Sequence, residues 1–515
     1  MLMDIYMPEI FWFDDRKAIT CVDIQQTPWP VNRVREVQYH CDRYYKIATV
    51  SVSSDVRIWD FCFEIIKDSN VKPLKVDFVA NLDGHMGAIN CCKFSPNGQF
   101  LATGDAYGGL IMWYFCEDSP PPEPSADLEL PPNKENWKQY RKGCLRHTSD
   151  VTCLAWSPCS NFLASASNDD SIMVQDVANG KTLWTLRNFR RFPVGLVWDP
   201  RGKYLLSFST DRRLDIINAK RGHRIKNAFT VEHLNVSIDN VQTNPEASYK
   251  LFHDDQLVCF ARTIDFSPCG SLLFVPTAHL ELPGHNVYGT YVFRRKDLNK
   301  CQPRALLPSK KPTILVRCCP VVYELKGDKE TNFLKLPYRV IFAVMTNESV
   351  TLYDSQHQSP FMYLNNLHYD NLTSLSWTPD GKAMAISSLE GYNTFTSIQC
   401  SKIGCQIDLP PWDGRDSPNL IKIRKKNKNT EEKSEPKKNL VKAKPETETP
   451  KRTAPAPKQA SKSPKTPSLF KFFSPVNPKK EESPPIAEAA PQSMIMASKS
   501  KKKIETVLLE KGQVQ

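Results

Sequence analysis

Apolar and polar residues alternate with a period of two over most of the first 400 positions, in short runs broken by turn residues. The clearest case is Gly84 to Trp113, GHMGAINCCKFSPNGQFLATGDAYGGLIMW. Alternation through Ala88–Phe94 predicts a half-buried strand, Ser95-Pro96-Asn97-Gly98 predicts a tight turn, and Phe100-Leu101-Ala102 predicts the returning strand. Gly-His at the start and Trp about 30 residues later mark a WD-type repeat of about 40 to 45 residues. One such unit cannot bury both of its faces, so siblings are required.

Six siblings are found. The first unit ends on Trp59-Asp60, and the third, RHTSDVTCLAWSPCSNFLASASNDDSIMVQD, carries His147, Ser165 and Asp169 but Gln175 in the tryptophan place. The fourth keeps an Asp-Pro-Arg-Gly turn and carries Asp211, with Ile217 where tryptophan is expected. Three further units follow, with ends expected near 295, 355 and 400, after ends near 60, 114, 177 and 219 for the first four. The expected fold is all-β: a seven-bladed WD40 β-propeller over 1–405, then a disordered basic C-terminal tail over 406–515. Residues 8–14 are expected to form a strand that completes the last blade and closes the ring. The stretch 116–143 is too long for an ordinary connection and is expected to be a surface loop.

In WD blades, His, a strand Ser or Thr, a turn Asp and Trp share buried hydrogen bonds. Trp59, His85, Trp113, His147, Asp169 and Asp211 are therefore assigned structural roles. In the second unit Tyr107 occupies the aligned turn position, so no unit is expected to hold all four groups. His253-Asp254-Asp255 is the best enzyme candidate, but adjacent residues of an extended segment diverge. No Gly-rich phosphate loop or nucleophile elbow accompanies it. Its expected role is an inter-blade connection, and no enzyme, metal or cofactor is expected. The 16 cysteines are expected to be mostly reduced and buried. Cys91-Cys92 and Cys318-Cys319 should point to opposite strand faces, and Cys400 with Cys405 lacks a second pair for zinc.

Charge changes the picture of the tail. Of 68 Lys and Arg and 56 Asp and Glu, the segment 411–515 holds 24 and 12, which leaves 44 of each in the body. The whole net charge of +12 thus sits in a Pro-rich tail that cannot build a core. Such a tail suits acidic partners, nuclear import or nonspecific nucleic-acid contact. No secretory signal and no membrane-spanning run is expected.

The segments NKENW (133–137), SYKLFHDDQL (248–257), IDFSPCGSLLF (264–274), VRCCPVVYEL (316–325), LPYRVIFAV (336–344) and AISSLEGY (385–392) resemble the WD-repeat middle subunits of chromatin assembly factor 1. The HIRA-type WD-repeat histone regulators are the nearest relatives of that family. The resemblance implies a nuclear, non-catalytic scaffold in a heterotrimer that deposits histones H3 and H4 on newly replicated DNA. It implies as partners the large subunit, the small histone-binding WD-repeat subunit and, through the tail, an anti-silencing histone chaperone. A replication-independent HIRA-type deposition factor and a general WD adaptor, such as a ubiquitin-ligase substrate receptor, stand as alternatives.

Two islands interrupt the tail. Lys502, Lys503, Ile504 and Leu509 resemble the family's chaperone-docking motif, an extended peptide that adds a strand to a sheet edge. Lys451-Arg452-Thr453-Ala454-Pro455 is a poorer candidate, and a nuclear-import signal is the alternative. Leu469, Phe472 and Phe473 match the spacing of a sliding-clamp peptide, although Thr466 stands where glutamine is usual; docking to another partner is the alternative reading. Thr449, Ser463, Thr466, Ser474 and Ser483 each precede proline and are candidate phosphosites, where added negative charge would offset the tail's basicity.

Overall fold

The computed structural model describes residues 3–409 with short gaps at 28–38, 67–72, 122–129, 142–145, 229, 232–247, 258, 260–261, 283–284, 328–331 and 400–402, and a separate segment at 505–508. The described chain folds into eight antiparallel sheets, seven of them consecutive blades of one ring and the eighth a two-stranded ribbon of Thr230–Val231 with Tyr249–Lys250 between blades four and five. The chain is a seven-bladed β-propeller.

Blade one is built from Ile19–Ile24, Tyr45–Ser51, Val56–Phe63 and Leu74–Leu82. Blade two uses Ile89–Phe94, Phe100–Asp105, Leu110–Phe115 and Trp137–Tyr140. Blade three uses Val151–Trp156, Phe162–Ser167, Ser171–Asp176 and Lys181–Leu186. Blade four uses Pro193–Trp198, Tyr204–Ser209, Leu214–Asn218 and Arg224–Ala228. Blade five uses Asp265–Phe266, Leu272–Leu282, His285–Arg294 and Ala305–Ser309. Blade six uses Thr313–Tyr323, Arg339–Thr346, Ser349–Asp354 and Met362–Asn365. Blade seven uses Leu372–Trp377, Ala383–Ser388 and Asn393–Ile398, and takes its fourth strand, Met3–Tyr6, from the N-terminus.

Three expectations change here. The blade ends read near 60, 114, 177, 219, 295 and 355 are ends of third strands, because each of those sheets continues to a fourth strand set off by a loop. The insertion 116–143 is not a loop throughout: Trp137–Tyr140 within it is the outer strand of blade two. The ring-closing strand is Met3–Tyr6, paired with Ile398 through Phe395, and not 8–14. Pro8 has no N–H to give a ladder. Beyond it, residues 7–13 enter no ladder and lead into the 3-10 turn Asp14–Arg16, with Trp12 and Phe13 both fully buried. They form a wedge between blades seven and one, with Trp12 edge-on to Trp59 at 4.9 Å and stacked on Phe395 at 5.8 Å.

Five blades share one turn, and its hydrogen bonds explain the Ser/Asp/Thr-Pro-x-Gly pattern. The fourth residue's N–H bonds the first residue's carbonyl: Gly98 to Ser95, Ser160 to Ser157, Gly202 to Asp199, Gly270 to Ser267, Gly381 to Thr378, at 2.7–2.9 Å. The first residue's side chain then accepts the N–H that opens the next strand, as at Ser95 from Phe100 and Thr378 from Ala383. Gly98 has φ +72°, and a Cβ there would lie 1.7 Å from the Thr27 carbonyl oxygen. Only glycine fits this position.

The core is divided into seven clusters, one per blade interface. Adjacent cysteines show the division. Cys91 packs in the interface between blades two and three, and Cys92 in that between blades one and two. Cys318 and Cys319 split in the same way across blade six. All described cysteines are free thiols; Cys405 is exposed, and Cys400 lies outside the described residues.

Candidate interaction surfaces

The polar rungs of the blades fix the loops above them. In blade two, His85 shares one hydrogen bond with Thr103 Oγ1 (2.6 Å) and another with Asp105 Oδ2 (2.8 Å), and Trp113 Nε1 donates to Thr103 Oγ1 (2.8 Å). All four groups are therefore present in this blade, against the sequence expectation. The aspartate stands two positions before Tyr107, at the end of the strand rather than in the turn. Asp105 also accepts the N–H groups of Tyr107 (2.9 Å) and Gly109 (2.6 Å). Burial alone would raise its carboxyl, but the bonds from His85 and these two N–H groups outweigh it and hold the carboxyl below its usual range.

The other rungs are partial. His147 bridges Ser165 (2.9 Å) and Asp169 (3.1 Å) in blade three, where Gln175 takes the tryptophan position. Trp59 Nε1 donates to Thr49 in blade one (3.1 Å). Asp211 of blade four faces Arg213 at 3.5 Å rather than a histidine. Blade seven builds its rung from residues not singled out in the sequence: His368 reaches Thr394 (2.9 Å) and Glu390 (3.4 Å).

His253-Asp254-Asp255 lies on the connection between blades four and five. Arg212 bridges Asp254 and Glu281 at 2.9 Å each, and His253 Nδ1 sits 3.0 Å from Asp254 while its ring stacks on His279 at 4.7 Å. Fully buried Arg262 donates to the backbone carbonyls of His253 and Asp254. Burial lowers the His253 imidazole against the pull of Asp254. The carboxylates are spent on arginines, and the group reads as an inter-blade clasp. Among the described residues, no three His, Cys, Asp or Glu side chains are grouped to hold a metal ion.

The described residues of the insertion are tied to blade one. Lys46 lies 2.8 Å from both Asp60 and Glu135, and Glu135 also accepts from Trp137 Nε1 at 2.8 Å. Asn136 donates to Ser119 and Pro120, which folds 115–121 back over 134–136 around an open hollow of about 450 Å³.

The chain's topology sorts its loops onto two ends of the ring. Loops between second and third strands, and those leading into each first strand, share one end. That end carries the exposed side chains Phe11 (66% exposed), Met86 (71%), Tyr107 (66%) and Tyr369 (60%), all from blades seven, one and two. Asp14, Asp15, Asp55, Asp83, Asp370 and Glu390 belong to the same loops. Asp55 has its carboxyl raised by burial and, next, by the charge of Asp83 and a hydrogen bond with it, so these carboxylates crowd one another. Arg16 stands near both Phe11 and Tyr392. A neutral propeller thus concentrates acid and aromatic surface on one sector of one end. Sequence reading misses this grouping because its members are separated by up to 379 positions, from Phe11 to Glu390.

Residues 3–403 match the family model described as "CAF1B/HIR1 beta-propeller domain". The chain belongs to the CAF1B/HIR1 β-propeller family. Within that family it is 35% identical over 410 residues to a Mus musculus protein named as a component of chromatin assembly factor 1, covering 77% of this chain and 69% of that one. A Saccharomyces cerevisiae protein with the same name is 29% identical over 401 residues, covering 71% and 83%. Neurospora crassa Protein hir-1 is 25% identical over 378 residues, covering 70% of this chain and 34% of its own length. The family match covers the propeller. Lys502, Lys503, Ile504, Leu509, Leu469, Phe472, Phe473, residues 451–455 and the five Ser/Thr-Pro positions all lie outside the described residues; the strand Glu505–Leu508, between Ile504 and Leu509, is described.

Proposed function

We propose that this chain is a non-catalytic scaffold subunit of a nuclear histone chaperone complex that deposits H3–H4 on newly replicated or repaired DNA. The family supports a role in chromatin assembly, and identity is higher to the relatives named for chromatin assembly factor 1 than to the HIR relatives. One observation carries the reading further: an acidic, aromatic-bearing end on a body of zero net charge, joined to a basic tail. Carboxylates at such a rim steer and hold a basic protein, and exposed Phe, Met and Tyr provide the apolar anchors an interface needs.

Partners divide by region in this reading. The acidic end takes the histones, and blade edges with the 116–143 insertion take the large subunit. The small histone-binding subunit shares the complex. The tail's Lys502, Lys503, Ile504 and Leu509 engage the anti-silencing chaperone, while Leu469, Phe472 and Phe473 engage the sliding clamp or another partner. Phosphates at Thr449, Ser463, Thr466, Ser474 and Ser483 would lower the basicity of the tail.

The test is charge reversal at the acidic end. With Asp55→Lys and Asp83→Lys together, binding of an H3–H4 tetramer by the full chain should weaken about tenfold and lose part of its salt dependence. Thermal unfolding should remain cooperative. Binding that is unchanged by the double variant at low salt removes the acidic end from the proposal.

A further inference from the structure

A propeller blade leaves the outer edge of its fourth strand unpaired, a row of free N–H and C=O groups that can accept another strand. Blade six differs. Its outer strand Met362–Asn365 is paired antiparallel with Glu505–Leu508, in the register Met362 to Leu508, Tyr363 to Val507, Leu364 to Thr506 and Asn365 to Glu505. The other blade sheets hold four strands among the described residues, and this one holds six.

The sixth strand is explained by where the tail begins. Gln406–Ile407 pairs with Tyr323 and Val322 on the inner strand of the same sheet. The tail therefore leaves from one side of blade six and returns to the other, five strand spacings away, or about 24 Å. The 97 residues 408–504 have an extended reach of about 3.3 Å each, far more than that distance requires. Because the two segments belong to one chain, their pairing is intramolecular, which favours even a weak strand pairing over the same contact between separate molecules. The acceptor is suitable too. Met362 and Leu364 are buried in the interface between blades six and seven, so the edge strand is held rigid from behind. Glu-Thr-Val-Leu has two β-branched residues at its centre and no proline.

We infer that the outer edge of blade six is a strand-acceptor site, and that its occupant is the chain's own segment Glu505–Leu508. Taken with the chaperone-docking role proposed for the surrounding residues, on which this one consequence rests, cis pairing makes partner capture a displacement reaction. A partner that adds this segment to its own sheet must first strip it from blade six, and the apparent affinity falls by the fraction already paired.

Two measurements on the full chain test the site without any partner. Thr506→Pro removes one N–H and fixes φ at the centre of the added strand. Amide hydrogen exchange over 361–366 should then be at least tenfold faster than in the unaltered chain, with blades one to five unchanged. In a second variant, Tyr363→Cys with Val507→Cys should form a disulfide, mapped by mass spectrometry, far faster than Tyr363→Cys with Lys511→Cys. Equal exchange over 361–366 with and without Thr506→Pro, or equal cross-linking of the two cysteine pairs, overturns the cis site. Chaperone binding by a synthetic 498–515 peptide is scored separately. Its absence would overturn the docking role and leave the cis site standing.

Discussion

Asp105→Ala should lower the stability of the propeller by about 3–5 kcal/mol, the usual cost of removing one partner from a buried charged group. The side chain is almost wholly buried and accepts from His85, the Tyr107 N–H and the Gly109 N–H, so alanine strands three donors. Asp105→Asn, which keeps one acceptor oxygen, should lose less. The effect depends on pH in a defined direction. The folded carboxyl lies below its unfolded value, so its contribution is complete above the unfolded pKa of about 3.9 and is lost as pH falls through the folded pKa. Denaturant unfolding should therefore show the gap between Asp105→Ala and the unaltered chain narrowing below about pH 4. A constant gap down to pH 2 would mean that Asp105 acts through packing alone.

Deleting residues 1–6 should open the ring. Met3 is fully buried between blades seven and six, and four residue pairs join Met3–Tyr6 to Asn393–Ile398. Burial of a methionine contributes about 2–5 kcal/mol. The ladder bonds add about 0.5–1.5 kcal/mol each, so the loss should reach roughly 5 kcal/mol or more. The strand Asn393–Ile398 would become an exposed edge, and edges of that kind pair between molecules. Denaturant midpoints should fall sharply, and size-exclusion profiles should turn concentration-dependent. Phe11→Ala, in the same N-terminal arm but exposed, should leave both measurements unchanged.

These two sites also show how far sequence reading carries. The seven-fold repeat was legible because successive strand residues must face the two neighbouring blades in turn and each blade must turn at a fixed place, and both demands are written in adjacent positions. The closing of the ring by the N-terminus was legible as a need, since an open blade is unstable, but not as a location. Met3–Tyr6 is a plain four-residue strand, whereas 8–14 is the more apolar run; the structure uses that run as a wedge at Trp12 and Phe13. Asp105 was hidden for a different reason. The hydrogen-bond geometry around His85 accepts a carboxylate from the strand end as readily as from the turn, and counting positions from the other blades points to Tyr107. The acidic end and the pairing of Met362–Asn365 with Glu505–Leu508 join residues far apart in the chain. Nothing in local periodicity could place them together.

The family supports a role in chromatin assembly, and the central proposal is that this propeller is a scaffold for histone deposition at replicated DNA. The most direct measurement is to remove the chain from a replicating nuclear extract, restore it, and follow nucleosome formation on newly synthesised DNA together with the proteins that co-purify with the restored chain. The account predicts that assembly fails without the chain and returns with it. It also predicts that the chain is recovered with H3–H4, a large subunit and a second WD-repeat subunit, and that the Asp55→Lys, Asp83→Lys variant restores assembly poorly. Full assembly in the depleted extract, or recovery of the chain with a ubiquitin-ligase scaffold and no histones, would contradict it.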